Sequence, residues 1–483
     1  MRCRVKSDRF VRRTRMAAPA AEVFRWHARP GALERLTPPW EPVDVLEHTD
    51  GIEDGSRVVL GVRTGPFRLR WVAEHRDYKE GRQFRDVQVS GPFARWEHTH
   101  RIEPDGLEAC FLEDDITYAL PFGSLGHWFG GSFVRQKLDR LFAYRHRITT
   151  QDIATHMAYG PASPQHVLVT GSSGLVGSAL VPFLTTGGHR VTRLVRSAPR
   201  PGHDEVGWDP AAARIDTSQL EGLDAVVHLA GDSIAAGRWN AAKKARIRDS
   251  RVQGTQLLCD TLAQLDQPPK VLVCASAIGY YGSRGDAWLR EDSAAGTDFL
   301  AEVCQAWEAA TEPARRRGIR VVHQRFGVIL SPAGGALAKM LAPFKLGAGG
   351  VIGKGQQHMS WIALDDVVGA TYHALMTDTL HGPVNVVSPQ PVTNREYTRV
   401  LGRVLRRPTL APLPAFAARL AFGEMAEALF LASSRVAPAR LIDSGYVFRY
   451  PELTGALQHL LGRSTARSIT DCNGSRPGPQ ALP

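Results

Sequence analysis

The sequence predicts an α/β chain in which a doubly wound parallel sheet carries a small helical C-terminal appendage and is preceded by a separate α+β domain. Three observations predict it. From His166 to about residue 405, short apolar runs alternate with segments of helical periodicity, the rhythm of a parallel sheet covered by helices on both faces. A glycine-rich turn joins the first of these runs to the first helix. Before residue 153 the pattern differs: stretches that alternate apolar and polar residues lie between two helical segments. A chain of 483 residues is also long for a single core, since a domain takes roughly 100–200 residues.

The N-terminal region, 1–152, opens with a short helix, AAEVFRWHA. SRVVLGVRTG, FRLRWVAEHRDY, RQFRDVQVSG, ARWEHTHRIEP and EACFLEDDITYAL then read as about five half-buried antiparallel strands. SLGHWFGGSFVRQKLDRLFAYRHRI reads as a closing helix. Residues 153–165 lose apolar periodicity and gather Gly, Pro and Ser, which marks a linker. In 166–405, QHVLVTG is a buried strand, GSSGLVGSALVPFLTTG a helix ended by glycine and HRVTRLVRS a second strand, together a β-α-β unit. The alternation continues through DAVVHLAG, NAAKKARIRDSRVQGTQLLCDTLAQL, PKVLVCASA, FLAEVCQAWEAATEPARRRG, IRVVHQRFGVIL and PVNVVS. Residues 406–462 read as a helical extension, and 463–483, with Gly, Pro, Ser and Arg, as a disordered tail.

Composition narrows the function classes. With 43% hydrophobic and 22% charged residues the chain has the make-up of a globular protein. The net charge of +11 comes from arginines spread along the chain rather than gathered in blocks, so no nucleic-acid partner is expected. Cys3, Cys110, Cys259, Cys274, Cys304 and Cys472 stand far apart, which reads as reduced thiols. The basic start is not followed by an apolar run and no stretch of about 18 apolar residues occurs. A cytoplasmic protein without a membrane span is therefore expected.

The turn Gly171, Ser172, Ser173, Gly174, Leu175, Val176, Gly177 lies between a buried strand and a helix, where a dinucleotide fingerprint requires glycines. The first permits a tight turn, the second lets backbone N–H groups approach a pyrophosphate, and the third lets helix and strand pack closely. The second strand ends in Arg196 and Ser197, where a preference for NAD would usually place an acidic residue. A cation there favours a 2′-phosphate, hence NADP(H).

From about Val167 to Tyr450 the chain resembles the atypical, epimerase-like short-chain dehydrogenase/reductase family that carries a C-terminal extension. The matching phrases are LVTGSSGLVG, DAVVHLAGDSIAAGRW, IRDSRVQGTQLL, SAIGYYGSRGD, EDSAAGTDFLAEVCQAWE, GGALAKMLAPFKLGAGG, MSWIALDDVV and GPVNVVSPQPVTNREY. The resemblance implies a Rossmann domain that binds NADP(H) through the glycine turn, Arg196, the Leu229, Ala230, Gly231 segment and Arg251. Upstream, the order helix, strands, long helix, with the Pro-rich loop ARPGALERLTPPWEPV, resembles the helix-grip domain of the START-like polyketide cyclase and lipid-transfer (SRPBCC) superfamily. That likeness implies an apolar cavity and a small apolar ligand; a filled core without a ligand is the alternative.

The catalytic pattern departs from the superfamily. Its usual members pair a tyrosine with a lysine four residues later, so that the phenol exchanges a proton with the substrate. None of the ten tyrosines here has that lysine, and the expected helix offers Leu300 and Cys304 instead. The substitutes are Ser276, Tyr280 and Tyr281 at the end of a strand, with Arg284 four residues after Tyr280. Aligning Tyr281 and Gly282 with the V-Y-G turn of sugar epimerases puts Ala277, not Ser276, at the usual hydroxyl position. Glu291 and Asp292 read as a cap or loop pair, His358 as a solvated loop residue, and Asp365 and Asp366 as helix caps. Trp361 and Cys304 read as core, and no His, Cys and carboxylate spacing indicates a metal site. Two readings stay open: an NADP(H)-dependent oxidoreductase or epimerase-like enzyme on an unknown small-molecule substrate, or a non-catalytic NADP(H) sensor or carrier of an apolar ligand.

Overall fold

The computed structural model describes residues 7–463 apart from 42, 50, 65–66, 161–163 and 236. The tail expected over 463–483 lies, beyond Arg463, outside the described residues. Two compact units make up the chain: residues to Ala28 with Arg35–Ala154 and the chain from Leu457, and Arg29–Glu34 with Thr155–Ala456.

The first unit is one antiparallel sheet with a long helix. In chain order its elements are β1 (Asp8–Met16), α1 (Ala20–Ala28), α2 (Ala32–Leu36), β2 (Val43–His48), β3 (Arg57–Thr64), β4 (Phe67–Lys79), β5 (Gln83–Ser90), β6 (Arg95–Pro104), β7 (Cys110–Ala119) and α3 (Gly123–Ala158). The seven strands run in the order β1-β7-β6-β5-β4-β3-β2, two more than expected. β1 hid in the basic N-terminus: Phe10 and Met16 point into the core while Arg9 pairs with Asp115 on the outer face at 2.8 and 2.9 Å. Phe10, Trp96, Ile116 and Tyr118 pack against Leu138 and Phe142 of α3.

The linker expected at 153–165 is helical as far as Ala158, because Ile148 and Ile153 continue the buried face of α3 beyond the point where apolar periodicity fades. The end of the expected C-terminal extension also belongs elsewhere than predicted. From Leu457 the chain joins this first unit, where His459 stacks on Tyr144 at 5.5 Å between ring centroids.

In the second unit, β8 (His166–Thr170), α4 (Gly177–Thr186), β9 (Arg190–Val195), β12 (Ala225–His228), α5 (Ala241–Gln264), β13 (Val271–Ala277) and α6 (Phe299–Ala309) follow the predicted alternation, while β10 (Glu205–Asp209) and β11 (Arg214–Ile215) are strands that it did not include. The sheet order is β11-β10-β9-β8-β12-β13, then the strands Arg320–Phe326 and Gly382–Val386. All pairs are parallel except β10 with β11. Central strands are buried on both faces, so Val167 and Val169 enter one core while Leu168 enters the other. Asn240 caps α5 by accepting from Lys243 N at 2.8 Å, and Asp298 caps α6 by accepting from Ala301 N at 2.9 Å. Helices Ala415–Phe422 and Ala439–Asp443 form much of the C-terminal region of this unit. The chain reverses its direction of winding between β8 and β12, and a crevice for ligands opens at the carboxyl ends of such strands.

Candidate functional site

The turn after β8 needs its glycines. Gly171 has φ +66°, and a Cβ on it would lie 2.9 Å from the backbone of Leu229 after β12. A Cβ on Gly177 would stand 2.3 Å from the Gly171 carbonyl oxygen. Gly174 N donates to the same oxygen at 2.9 Å, closing the turn. No side chain caps α4 at Val176; Ser178 N and Ala179 N already donate to the Gly174 and Val176 carbonyls at 2.9 and 3.1 Å, so the anion would meet the Gly177 amide and the amides of the turn before it. Ser173 and Gly174 are exposed, Ser172, Leu175 and Val176 half-buried.

The neighbouring strand end is held by a chain of hydrogen bonds. Thr170 Oγ1 accepts from Leu229 N at 3.0 Å and Ala230 N at 3.1 Å, and it lies 2.8 Å from His228 Nδ1. His228 Nε2 is 2.9 Å from Thr255 Oγ1, which also accepts from Trp307 Nε1 at 2.9 Å. With two N–H donors already on Thr170 Oγ1, its proton goes to Nδ1, so the ring carries its proton on Nε2. Burial pushes the His228 pKa down to about 4 and keeps the ring neutral.

The other expected cofactor residues are distributed around this crevice. Arg196 and Ser197 are exposed at the end of β9. Arg251 approaches Gly231, 3.3 Å from where a Cβ would be, but its Nη1 donates to the carbonyls of Asp232 and Ile247, both at 3.0 Å. It therefore shapes the wall beside Gly231 with a guanidinium already tied to backbone.

The three candidate catalytic hydroxyl residues cluster around a residue that spacing did not single out, Arg325. Its Nε and Nη2 donate to the two oxygens of Glu308, each at 2.8 Å, while Nη1 donates to Tyr281 OH at 2.9 Å and Glu291 O at 3.1 Å. Tyr280 covers the guanidinium, 3.5 Å from ring centroid to Cζ. Ser276 donates to Glu308 Oε1 at 2.7 Å, and Tyr281 OH donates to Asn385 Oδ1 at 2.7 Å. Ser276 and Tyr281 are thus buried with their hydroxyls engaged, and burial raises the Tyr281 phenol to about 12. Arg284, the expected cation of the group, instead donates to the carbonyls of Tyr281, Ala294 and Ala295 and ties a loop together.

Other expectations change in the same way. Asp366 does not cap its own helix: it accepts from Arg449 N at 2.7 Å and Tyr450 N at 2.9 Å, anchoring a distant segment. Glu291 is buried and accepts from Asn385 N and Arg440 N at 3.1 and 3.2 Å. His358 is half-buried, its Nδ1 3.3 Å from Asp286 Oδ1. Trp361 and Cys304 are core as expected, and burial pushes the Cys304 thiol up to about 12. An arginine inside the apolar run IRVVHQRFGVIL was the available signal for the hub, since a charge placed there needs a partner.

In the first unit, where an apolar cavity was expected, a small pocket of about 10 Å³ is lined by His27, Leu36, His100, Leu112, Asp114, Arg145, His146 and Thr149. Beside it the fold gathers Asp86, His98 and His100 into one group of potential metal ligands, against the expectation from chain spacing. The His98-Thr99-His100 alternation in a strand pattern was the signal, since i and i+2 share a face. No helix among the described residues is long and apolar enough to cross a membrane.

Three family models match successive parts of the chain. Residues 16–142 match polyketide cyclase / dehydrase and lipid transport, residues 167–407 the NAD dependent epimerase/dehydratase family, and residues 413–460 a domain of unknown function, DUF1731. An epimerase family protein of Mycobacterium bovis is 44% identical over 297 residues, covering 62% of this chain and 98% of the relative. The crystal structure of a nucleoside-diphosphate sugar epimerase from Corynebacterium glutamicum is similar with a TM-score of 0.78 at 34% identity, covering 96% of this chain and 92% of that one. The structure of human epimerase family protein SDR39U1 with NADPH is similar with a TM-score of 0.56 at 37% identity, covering 61% of this chain and 99% of that one.

Proposed function

The chain belongs to the epimerase family, and from that premise we propose that it is an NADP(H)-dependent oxidoreductase or epimerase-like enzyme acting on a small-molecule substrate. The observation that carries the reading is the glycine turn at the β8/β12 crevice with Arg196 exposed beside it. The residues present fit the cofactor. A pyrophosphate would sit against the glycine turn at the N-terminus of α4 and needs the space that Cβ atoms on Gly171 and Gly177 would fill. Arg196 and Ser197 supply charge and a hydroxyl for a 2′-phosphate, and Leu229, Ala230 and Gly231 form the facing wall with Arg251 behind it. A relative whose structure is described with NADPH supports the same cofactor.

When bound, the nicotinamide supplies the hydride chemistry. The protein must supply the proton, and of Ser276, Tyr280 and Tyr281 we assign that task to Tyr280. Its hydroxyl makes no hydrogen bond among the described residues, whereas the other two are engaged. Arg325 orients the Tyr280 ring from below.

Calorimetric titration with NADPH and NADH, repeated for Arg196→Ala, tests the cofactor site. NADPH should bind more tightly than NADH, and the substitution should remove most of the difference; binding of neither nucleotide refutes the reading. Turnover of a carbonyl and nucleotide-sugar panel, with Tyr280→Phe as control, tests the chemistry. Tight binding without any turnover favours the alternative, an NADP(H) sensor, for which the engaged Ser276 and Tyr281 hydroxyls are the supporting observation.

A further inference from the structure

The strand register of the first unit brings an unusual set of polar side chains onto the sheet face that packs against α3. His75 on β4 stands opposite Asp86 on β5, Asp86 opposite His98 on β6, and His100 opposite Asp114 on β7. His98, His100 and Asp114 are buried, and nothing in the nucleotide chemistry of the second unit uses them.

We propose that Asp86 Oδ2, His98 Nδ1 and His100 Nε2 form a binding site for a divalent transition-metal ion of the zinc class. The potential ligand atoms lie within 4.8 Å of one another. Asp86 Oδ2 is 3.3 Å from His98 Nδ1 and 3.3 Å from His100 Nε2. That is longer than a well-made hydrogen bond, about 2.7–3.2 Å. It matches the separation of two ligands placed about 2.0–2.1 Å from a tetrahedral ion, roughly 3.3 Å.

The far side of each ligand is held as metal ligands usually are. His98 Nε2 is 2.8 Å and His100 Nδ1 2.7 Å from Asp114 Oδ1, and Asp86 Oδ1 is 2.9 Å from His75 Nε2. Asp114 is positioned in turn by His146 Nε2 at 2.5 Å, and His146 Nδ1 is 2.7 Å from Thr14 Oγ1. His100 Nδ1 is buried and makes no hydrogen bond despite its 2.7 Å approach to Asp114 Oδ1.

Two imidazoles and one carboxylate suit zinc, cobalt, nickel or ferrous ions rather than calcium or magnesium, which prefer oxygen ligands. The buried Arg145 guanidinium already offsets part of the charge of Asp114 and Asp86, and a dication would compensate the rest. Three protein ligands leave a fourth position, and the adjoining space of about 10 Å³ is close to the least that holds one water.

The test uses the full, tag-free chain stripped with chelator and titrated with Co²⁺ and Zn²⁺. One Co²⁺ per chain with the intense visible bands of a tetrahedral site, displaced by Zn²⁺, is expected. His98→Gln and His100→Gln should each weaken binding at least about 100-fold, and Asp114→Asn about 10- to 100-fold. No stoichiometric binding, octahedral spectra, or binding unaffected by either histidine substitution overturns the proposal. Circular dichroism reports whether the variants fold; if they do not, the wild-type Co²⁺ spectrum still decides. NADPH affinity, set in the other unit, is expected to be independent of these substitutions.

Discussion

Replacing Arg325 by methionine removes the cation on which the loop 276–281 is assembled. The Arg325 and Glu308 side chains are 3% and 13% exposed, so their charges are shielded from water. Without the guanidinium, the Glu308 carboxylate keeps only the Ser276 hydroxyl among the contacts described above, and Tyr281 OH and Glu291 O each lose a donor. Breaking a buried pair by deleting one partner costs about 3–5 kcal/mol. At about 2–4 °C per kcal/mol for a domain of this order of size, the transition of the sheet domain should fall by roughly 6–20 °C. Differential scanning calorimetry of the full chain reads it. The double variant Arg325→Met with Glu308→Gln no longer buries an unpaired carboxylate and should recover about 2 kcal/mol of the loss. A single variant that loses under about 1 kcal/mol, or a double variant less stable than the single, would refute the assignment of Arg325 as a charge-paired hub.

Three further outcomes follow from the site. Gly177→Ala sets a methyl 2.3 Å from the Gly171 oxygen whereas Gly174→Ala meets it at 3.2 Å, so calorimetric NADPH affinity should drop at least about tenfold for the first and less for the second; equal affinities contradict the turn geometry. Tyr281→Phe should leave NADPH affinity and turnover nearly intact while lowering stability by about 1–3 kcal/mol, because Asn385 and Arg325 lose a buried partner; loss of turnover with unchanged stability would make Tyr281 the proton donor instead. His228 has its folded pKa depressed from 6.5 to about 4, so the unfolded chain takes up its proton first as the pH falls. Its contribution is complete above pH 6.5 and is lost between about 6.5 and 4, up to about 3 kcal/mol; equilibrium unfolding at stepped pH should show a shallower acid limb for His228→Gln, and an identical limb would rule this out.

Much of the second unit is legible in the chain because its determinants are local. Strand and helix periods over His166–Thr170 and Gly177–Thr186 depend on neighbours a few residues apart, and Gly171 and Gly177 are required by backbone contacts around a single turn. The candidate cofactor residues other than Arg251, which lies on α5, follow strand ends for the same reason. β1 was missed because an outward row of arginines masks the alternation of Phe10 and Met16, and the charge of those arginines is balanced from elsewhere in the chain, by Asp115 and Glu113 on β7, Glu103 on β6 and Asp105.

The polar networks were decided elsewhere. Ser276, Tyr281, Glu308, Arg325 and Asn385 lie on different strands, loops and helices, and meet because parallel pairing sets β13 beside Arg320–Phe326 and that strand beside Gly382–Val386. The same holds for His75, Asp86, His98, His100 and Asp114, which antiparallel register alone brings together. Spacing along the chain thus determined most of the elements of the second unit, the nucleotide-type turn and the missing lysine partner. Which hydroxyls are closed off, which cation sits beneath Tyr280 and which imidazoles face one carboxylate were decided by strand pairing, because a buried charge or imidazole takes its role from partners that only the packed sheets supply.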